Sequence, residues 1–344
     1  MKYFFVIACI GILSACNNDQ TKSEEQPMKT DSLATIGVLE KMDPALDAIV
    51  SPNAKAEIIA EGFDWSEGPL WLEKTNTLIW SDVPKNTIYK WTAEKGKEVY
   101  LTPSGYTDTA KRGGEMGSNG LTLDNDGNLV LCQHGNRQMA RMNSPVDDPK
   151  PEFTTIAGKY KGKRFSSPND AVYSSKGELF FTDPPYGLES QSDKDPKKEI
   201  SFNGVYKVKK NGEVVLLTDS ITRPNGIAFL PGEKQLIVAS SDPEKPNWYI
   251  FDVDENDMLK NGRIFFSAAG MDRSLRGLPD GFKVDKKGNI FASGPGGILF
   301  FNSEGKLLGR LKLSDSVSNC AFSPDQKTLY ITNDMRVLRF KMRD

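Results

Sequence analysis

Six times along this chain a polar residue opens an alternating apolar strand, a polar turn follows, and a second apolar strand ends the phrase. Glu67 starts "EGPLWLEKTNTLIWSD", Asn119 "NGLTLDNDGNLVLCQH", Asn169 "NDAVYSSKGELFFTD", Asn225 "NGIAFLPGEKQLIVASS", Asp280 "DGFKVDKKGNIFASG" and Asn319 "NCAFSPDQKTLYITN". Two more apolar stretches follow in most copies, such as "TIYKW" and "EVYL" in the first and "GVYKV" and "EVVLL" in the third. Four strands in a period of about 50 residues describe a propeller blade. Six copies therefore predict an all-β fold, a six-bladed β-propeller of four-stranded blades. The sixth copy stops after "VLRFKM" and lacks an outer strand, while "AKAEIIAEG", Ala54 to Gly62, precedes the first copy without a partner. Pairing these two segments closes the ring with an N-terminal strand and removes two open edges.

The segments before the propeller have a different chemistry. "MKYFFVIACIGILSAC" has a lysine, a short apolar run and small residues before a cysteine, the pattern of a secretory signal peptide. "LSAC" resembles the bacterial lipobox, so Cys16 is the expected lipidation site and new N-terminus. The apolar run is too short to span a bilayer. Residues 17–45 read as a flexible tether and residues 46–344 as the propeller, with "DPALDAIVS" as one short helix capped by Asp43. The expectation is an exported lipoprotein, anchored to a membrane through Cys16 and periplasmic or outer-membrane associated. With a net charge of −2 and no basic stretch, nucleic acid is not an expected partner. No obligate protein partner is implied. Cys132 and Cys320 lie inside apolar strand phrases and are expected as buried free thiols rather than a disulfide.

In a propeller blade the start of the innermost strand lies at the same end as the close of the second. The six opening residues should therefore ring one mouth of the central channel. They offer two carboxylates and four amides, with no histidine or cysteine. Oxygen-only sets suit hard cations: Ca²⁺ first, with Mg²⁺, Mn²⁺ or Zn²⁺ as alternatives. Asn and Asp before Gly also serve simply to turn a chain into a strand. That reading suits Asn319, but Glu67 is a poor turn former.

"WSEGPLW", "SPNDAV", "RPNGIAF" and "LPDGFKVD" resemble the metal-site motifs of the SMP-30/gluconolactonase/luciferin-regenerating-enzyme family, and "GSNGLTLD", "LCQHGNR" and "FTDPPYGL" resemble its secreted bacterial branch. The resemblance covers residues 45–344. It implies a divalent cation held by Glu67, Asn169, Asn225 and Asp280, and hydrolysis of a sugar lactone. It also makes Asp280 the candidate base. His134, the sole histidine of the sequence, is expected at the same mouth as a second catalytic candidate. Asn119, Asp183, Tyr186 and Arg223 are candidate substrate contacts. The charged stretch "LESQSDKDPKKEISFN", residues 188–203, is expected as a mobile rim beside them. An esterase or phosphotriesterase on the same metal site, or a non-catalytic ligand-binding propeller, would share these features.

Overall fold

The computed structural model describes residues 1–3 and 33–343. The expected signal peptide beyond residue 3, Cys16 and most of the expected tether lie outside the described residues.

Six small antiparallel sheets form the ring; in the first five the four blade strands follow chain order from the axis outward, and in the sixth the outer strand comes from the N-terminal side. The first blade consists of Ser66–Leu72, Thr77–Asp82, Thr87–Thr92 and Gly96–Leu101. The second consists of Ser118–Leu123, Leu129–Gln133, Gln138–Met142 and Phe153–Ala157. Ala171–Tyr173, Leu179–Asp183, Gly204–Val208 and Val214–Thr218 form the third. The fourth contains Pro224–Phe229, Gln235–Ser240, Asn247–Val253 and Leu259–Ser267. Phe282–Val284, Ile290–Gly294, Gly297–Phe301 and Leu307–Lys312 make the fifth.

The sixth blade closes the ring as expected. Asn319–Phe322, Thr328–Asn333 and Arg336–Lys341 are completed by Ala56–Glu61, with Val337 opposite Ala60 and Phe340 opposite Ala56. The Arg339–Glu57 pair, 2.7 Å apart, ties this seam.

The alternation in each strand has a concrete use. Successive side chains point to opposite faces of a strand, so each strand feeds two neighbouring cores. Phe180 packs between blades three and four, and Phe181 between blades two and three. Leu236 and Val238 face blade three, whereas Ile237 and Ala239 face blade five. Cys132 and Cys320 are free and buried in two of these inter-blade cores. Burial pushes the Cys320 thiol up to about 12 and the Cys132 thiol also well up, which keeps both inert.

Strand pairing begins earlier than the expected boundary at residue 46. Thr35–Ile36 adds to Ala56–Glu61, and Val38–Lys41 adds to Leu307–Lys312 as a fifth strand. Glu40 of this strand holds the mostly buried Arg310, whose Nε lies 3.0 Å from its carboxylate. The following helix, Pro44–Ala48, is 3₁₀ rather than α, and Asp43 caps it by accepting from the Ala45 N–H. Residues 188–203 are not an open rim. Ile200 and Asp195 are buried, and Lys198 donates to Ser166 Oγ, Phe202 O and Asn203 Oδ1.

Candidate active site at the channel mouth

Glu67, Asn119, Asn225 and Asp280 are each followed by a glycine, and that glycine has a mechanical purpose. A Cβ on Gly68 would stand 2.1 Å from Asn119 O, and one on Gly281 would stand 2.0 Å from the Asn319 side chain. In these four blades the chain after the opening residue packs against the next blade's opening segment, and only glycine permits that approach. In blades one, two and four the pairing register shifts at this point, between Glu67 and Leu70, Ser118 and Leu121, and Pro224 and Ile227. Such bulges re-aim side chains. Second-strand hydroxyls lock the arrangement from behind: Ser81 Oγ donates to Asn119 O at 2.9 Å and Thr182 Oγ1 to Asn225 O at 2.8 Å.

The result is a cavity of about 350 Å³ at the mouth. Glu67, Asn119, Asn169, Asn225, Asp280 and Tyr186 all line it, together with Trp65, Glu115, Gln191 and Ser241. Asn225 Nδ2 donates to Ser241 Oγ at 3.2 Å, which leaves its carbonyl oxygen free for the cavity. Tyr186 Oη lies 2.6 Å from the same Ser241 Oγ.

The electrostatics are dominated by acids. Burial pushes the Glu67 carboxyl up to about 8, the Gly68 N–H bond opposes this, Asp170 and Glu115 repel its charge, and Lys283 offsets part of that repulsion. Asp280 keeps one face on the cavity, yet enclosure by protein holds it well above the usual carboxylate range, and Glu67, Asp170 and Glu115 all add to the shift. Two buried oxygens here, Asp280 Oδ1 and Asn119 Oδ1, have no hydrogen-bond partner. Buried polar atoms are rarely left in that state. Orphaned oxygens, converging carboxylates and amide carbonyls fit a hard divalent cation. Among the described residues no three His, Cys, Asp or Glu side chains gather as a metal cage; the donors here are two carboxylates with amides.

Several sequence-predicted residues lie elsewhere. His134 is fully buried and does not line the cavity; its ring packs against Gly187, where a Cβ would come within 2.5 Å of His134 Cβ. Its Nδ1 stands 3.3 Å from Glu115 Oε2, so it can reach the cavity only through Glu115. Asp183 is also buried and accepts the N–H groups of Ser166 and Ser167 at 3.0 and 2.7 Å. Asp82, at the same place in blade one, accepts from Asp64 and Trp65 in the same way. The acid closing the second strand thus braces the entry loop rather than contacting a ligand. Arg223 lies over the Tyr186 ring at 5.6 Å and pairs with Asp193. Asn319 takes part in a deeper layer: its Nδ2 donates to Asp170 Oδ2 at 3.5 Å, and Lys283 Nζ donates to its Oδ1 at 3.0 Å.

Sequence reasoning missed Glu115, which belongs to the entry loop outside the repeated phrase. That loop is pinned on both sides, by Gly117 N–H to Val83 O and His134 N–H to Gly117 O. An acid four residues before Asn119, in a glycine-rich run, was the available signal.

The family model described as "SMP-30/Gluconolactonase/LRE-like region" matches residues 65–334. The chain belongs to this family. It is 38% identical over 316 residues to the gluconolactonase of Zymomonas mobilis, covering 90% of this chain and 87% of that one. Among solved structures it is similar to XC5397, a gluconolactonase of Xanthomonas campestris, with a TM-score of 0.76 and 29% identity over 91% of this chain and 98% of that one. The calcium-binding protein regucalcin of Agrobacterium tumefaciens shares the fold, with a TM-score of 0.62 and 17% identity over 83% of this chain and 94% of that one.

Proposed function

We propose that this family member is a lactonase that opens a sugar lactone at the channel mouth, with a divalent cation, Ca²⁺ in first place, held by Glu67, Asn169, Asn225 and Asp280. The observation that carries the cation is the unpartnered Asp280 Oδ1 among acids with no lysine or arginine lining the cavity. The family and its gluconolactonase relatives support the lactone. When bound, such a cation supplies Lewis-acid polarisation of a carbonyl and neutralises the two carboxylates.

The chain's own residues supply the rest. Asp280 is positioned to take a proton from water as that water adds to the lactone carbonyl; the ring C–O bond then breaks and the proton passes to the leaving hydroxyl. Asn119 and Glu115 offer an amide oxygen and a carboxylate to sugar hydroxyls. Trp65 gives the cavity an aromatic wall, and Tyr186, held by Ser241, presents its hydroxyl at the rim. His134 acts as a positioning residue behind Glu115.

The test is a panel of aldonolactones, aryl esters and phosphotriesters, each assayed with and without chelator. The reading predicts hydrolysis of at least one aldonolactone in preference to the esters, lost on chelation and restored by Ca²⁺. Ester or phosphotriester turnover exceeding every lactone would replace the substrate class, and full lactonase activity after exhaustive chelation would remove the cation. The Cys16 anchor is a separate proposal, supported by the lipobox-like "LSAC". Cys16→Ser should release the protein from membranes; retention equal to the unaltered chain would refute the anchor.

A further inference from the structure

Behind the wall that carries Glu115 lies a second cavity of about 350 Å³ with the opposite charge. Its lining contains Lys111, Arg112, Arg137, Arg164 and Lys197 against only two acids, Asp108 and Glu189. Five cations thus face two acids: Glu189 pairs with Lys197 and acts on Arg112, and Asp108 accepts the Thr109 N–H.

The three guanidinium groups are fixed by the backbone. Arg112 donates to Gly135 O at 2.9 Å and also to Gly187 O. Arg164 donates to Asn136 O at 2.9 Å. Arg137, only 7% exposed, donates from Nε to Phe165 O at 2.6 Å, while its buried Nη2 has no partner. Glu199 stands 3.6 Å from Arg137 Nη1, a long contact, and its other oxygen is taken by the Arg164 N–H. Arg164 is carried by the short hairpin of Lys159–Tyr160 and Lys163–Arg164. Burial lowers Arg112 while Glu189 raises it; burial and then Arg164 lower Arg137 while Glu199 opposes them. A nearly buried arginine whose carboxylate stands 3.6 Å away and also accepts a backbone N–H is left short of charge compensation unless another anion arrives.

We propose that this pocket binds an oxyanion, a phosphate or carboxylate group, through the guanidinium groups of Arg112, Arg137 and Arg164. Fixed planar guanidiniums suit the paired oxygens of such groups better than lysines would. The pocket shares its wall with the channel mouth: Arg112 joins the loops that carry His134 and Tyr186, and residues 188–203 give Glu189 to one cavity and Gln191 to the other. The oxyanion is therefore either a free ion beside the mouth or the acidic end of a substrate seated across its rim.

Calorimetric titration with inorganic phosphate, at ionic strength held constant with chloride, tests the pocket directly. Arg164 is exposed, so Arg164→Gln should leave the fold intact; Lys163→Gln, on the same hairpin but outside the lining, is the control. Phosphate affinity should fall about 10-fold in Arg164→Gln, the loss of one charge-assisted pair, and stay within about two-fold in Lys163→Gln. No phosphate binding by the unaltered protein, or equal losses in both variants, would overturn the proposal. A second arm rests on the lactonase reading and compares a phosphorylated aldonolactone with its uncharged counterpart. A KM raised about 10-fold by Arg164→Gln for the phosphorylated compound alone identifies the anion as part of the substrate. Weaker phosphate binding with both KM values unchanged identifies a free anion. Were neither lactone turned over, the phosphate titration would still decide the pocket.

Discussion

Asp170 and Asp280 are two carboxylates at the heads of inner strands, one layer apart in the same channel, and the chain treats them differently. Asp170 is buried, yet it accepts the Ala171 N–H at 2.9 Å and an amide N–H from Asn319, and Lys283 lowers it against the rise that burial causes. Asp280 has an orphaned Oδ1 and is raised by three neighbouring acids, eased by a bond from the Gly281 N–H. The deep carboxylate is satisfied from within; the one at the mouth is left for something that arrives from outside. Burial alone therefore does not mark a functional acid. Burial without internal compensation does.

The largest expected effect separates the two directly. We predict that Asp280→Asn lowers lactone hydrolysis by about 10²–10⁴-fold even with cation in excess, the scale for removing a general base. The same change should leave the thermal midpoint of the chelated protein unchanged or higher, because it removes an uncompensated charge. Asn225→Asp, which keeps an oxygen at its position, should retain the cation. Activity of Asp280→Asn within a few-fold of the unaltered enzyme would make Asp280 equivalent to Asp170 and dissolve the contrast.

Lys283→Met probes the deep layer. It leaves Asp170 without its cation and Asn319 Oδ1 with the Cys320 N–H alone, and should destabilise the fold by about 2 kcal/mol, read by denaturant titration. Turnover per folded molecule should change little. A large fall in kcat with unchanged stability would place the deep layer in the reaction instead.

The pH response should also differ with and without cation. In the metal-free protein Glu67 is raised to about 8 from an ordinary 4.5, and Asp280 is raised as well. Between those values the folded state holds protons that the unfolded chain releases, so stability must fall as pH rises from about 4.5 to 8. A cation competes with those protons and replaces the missing charge. Melting of chelated protein should therefore come at lower temperature at pH 8 than at pH 5, and added Ca²⁺ should raise the midpoint more at pH 8. A flat profile without cation would mean that the mouth carboxylates are already compensated.

The fold was legible because each blade repeats one physical problem. A strand packed on both faces needs continuous apolar residues, as in "LFFT", and an opening residue pressed against the next blade needs glycine after it, as at Glu67–Gly68 and Asp280–Gly281. The ring residues followed from that repetition. What the repetition does not encode stayed hidden. Glu115 sits in a unique loop, and Asp170 reads as half of an "ND" turn until the channel shows what faces it. Position at the end of a strand put His134 at the right end of the blade but carried no information on which way its ring turns. Thr35–Ile36 and Val38–Lys41 escaped because strands of two and four residues are too short to show an alternating pattern.

The smallest effect tests how the mouth is held open for the proposed cation. Ser241 Oγ accepts from Asn225 Nδ2 and lies against Tyr186 Oη, so one hydroxyl fixes both an amide and a phenol. An amide whose nitrogen is occupied must turn its oxygen the other way, here toward the cavity. Ser241→Ala frees the Asn225 amide to rotate and releases Tyr186 without touching either carboxylate. Cation affinity, measured by calorimetry on the protein without substrate, should fall about 10-fold, the low end for loss of a group that orients a ligand. Hydrolysis at saturating cation should stay within a few-fold, and Ser241→Thr, which keeps a hydroxyl, should restore most of the affinity. An unchanged affinity in Ser241→Ala would show that Asn225 is oriented by the bulge of its own strand, or that its oxygen is not a ligand. Asn225→Ala then decides between these two, since only a true ligand loses affinity on removal.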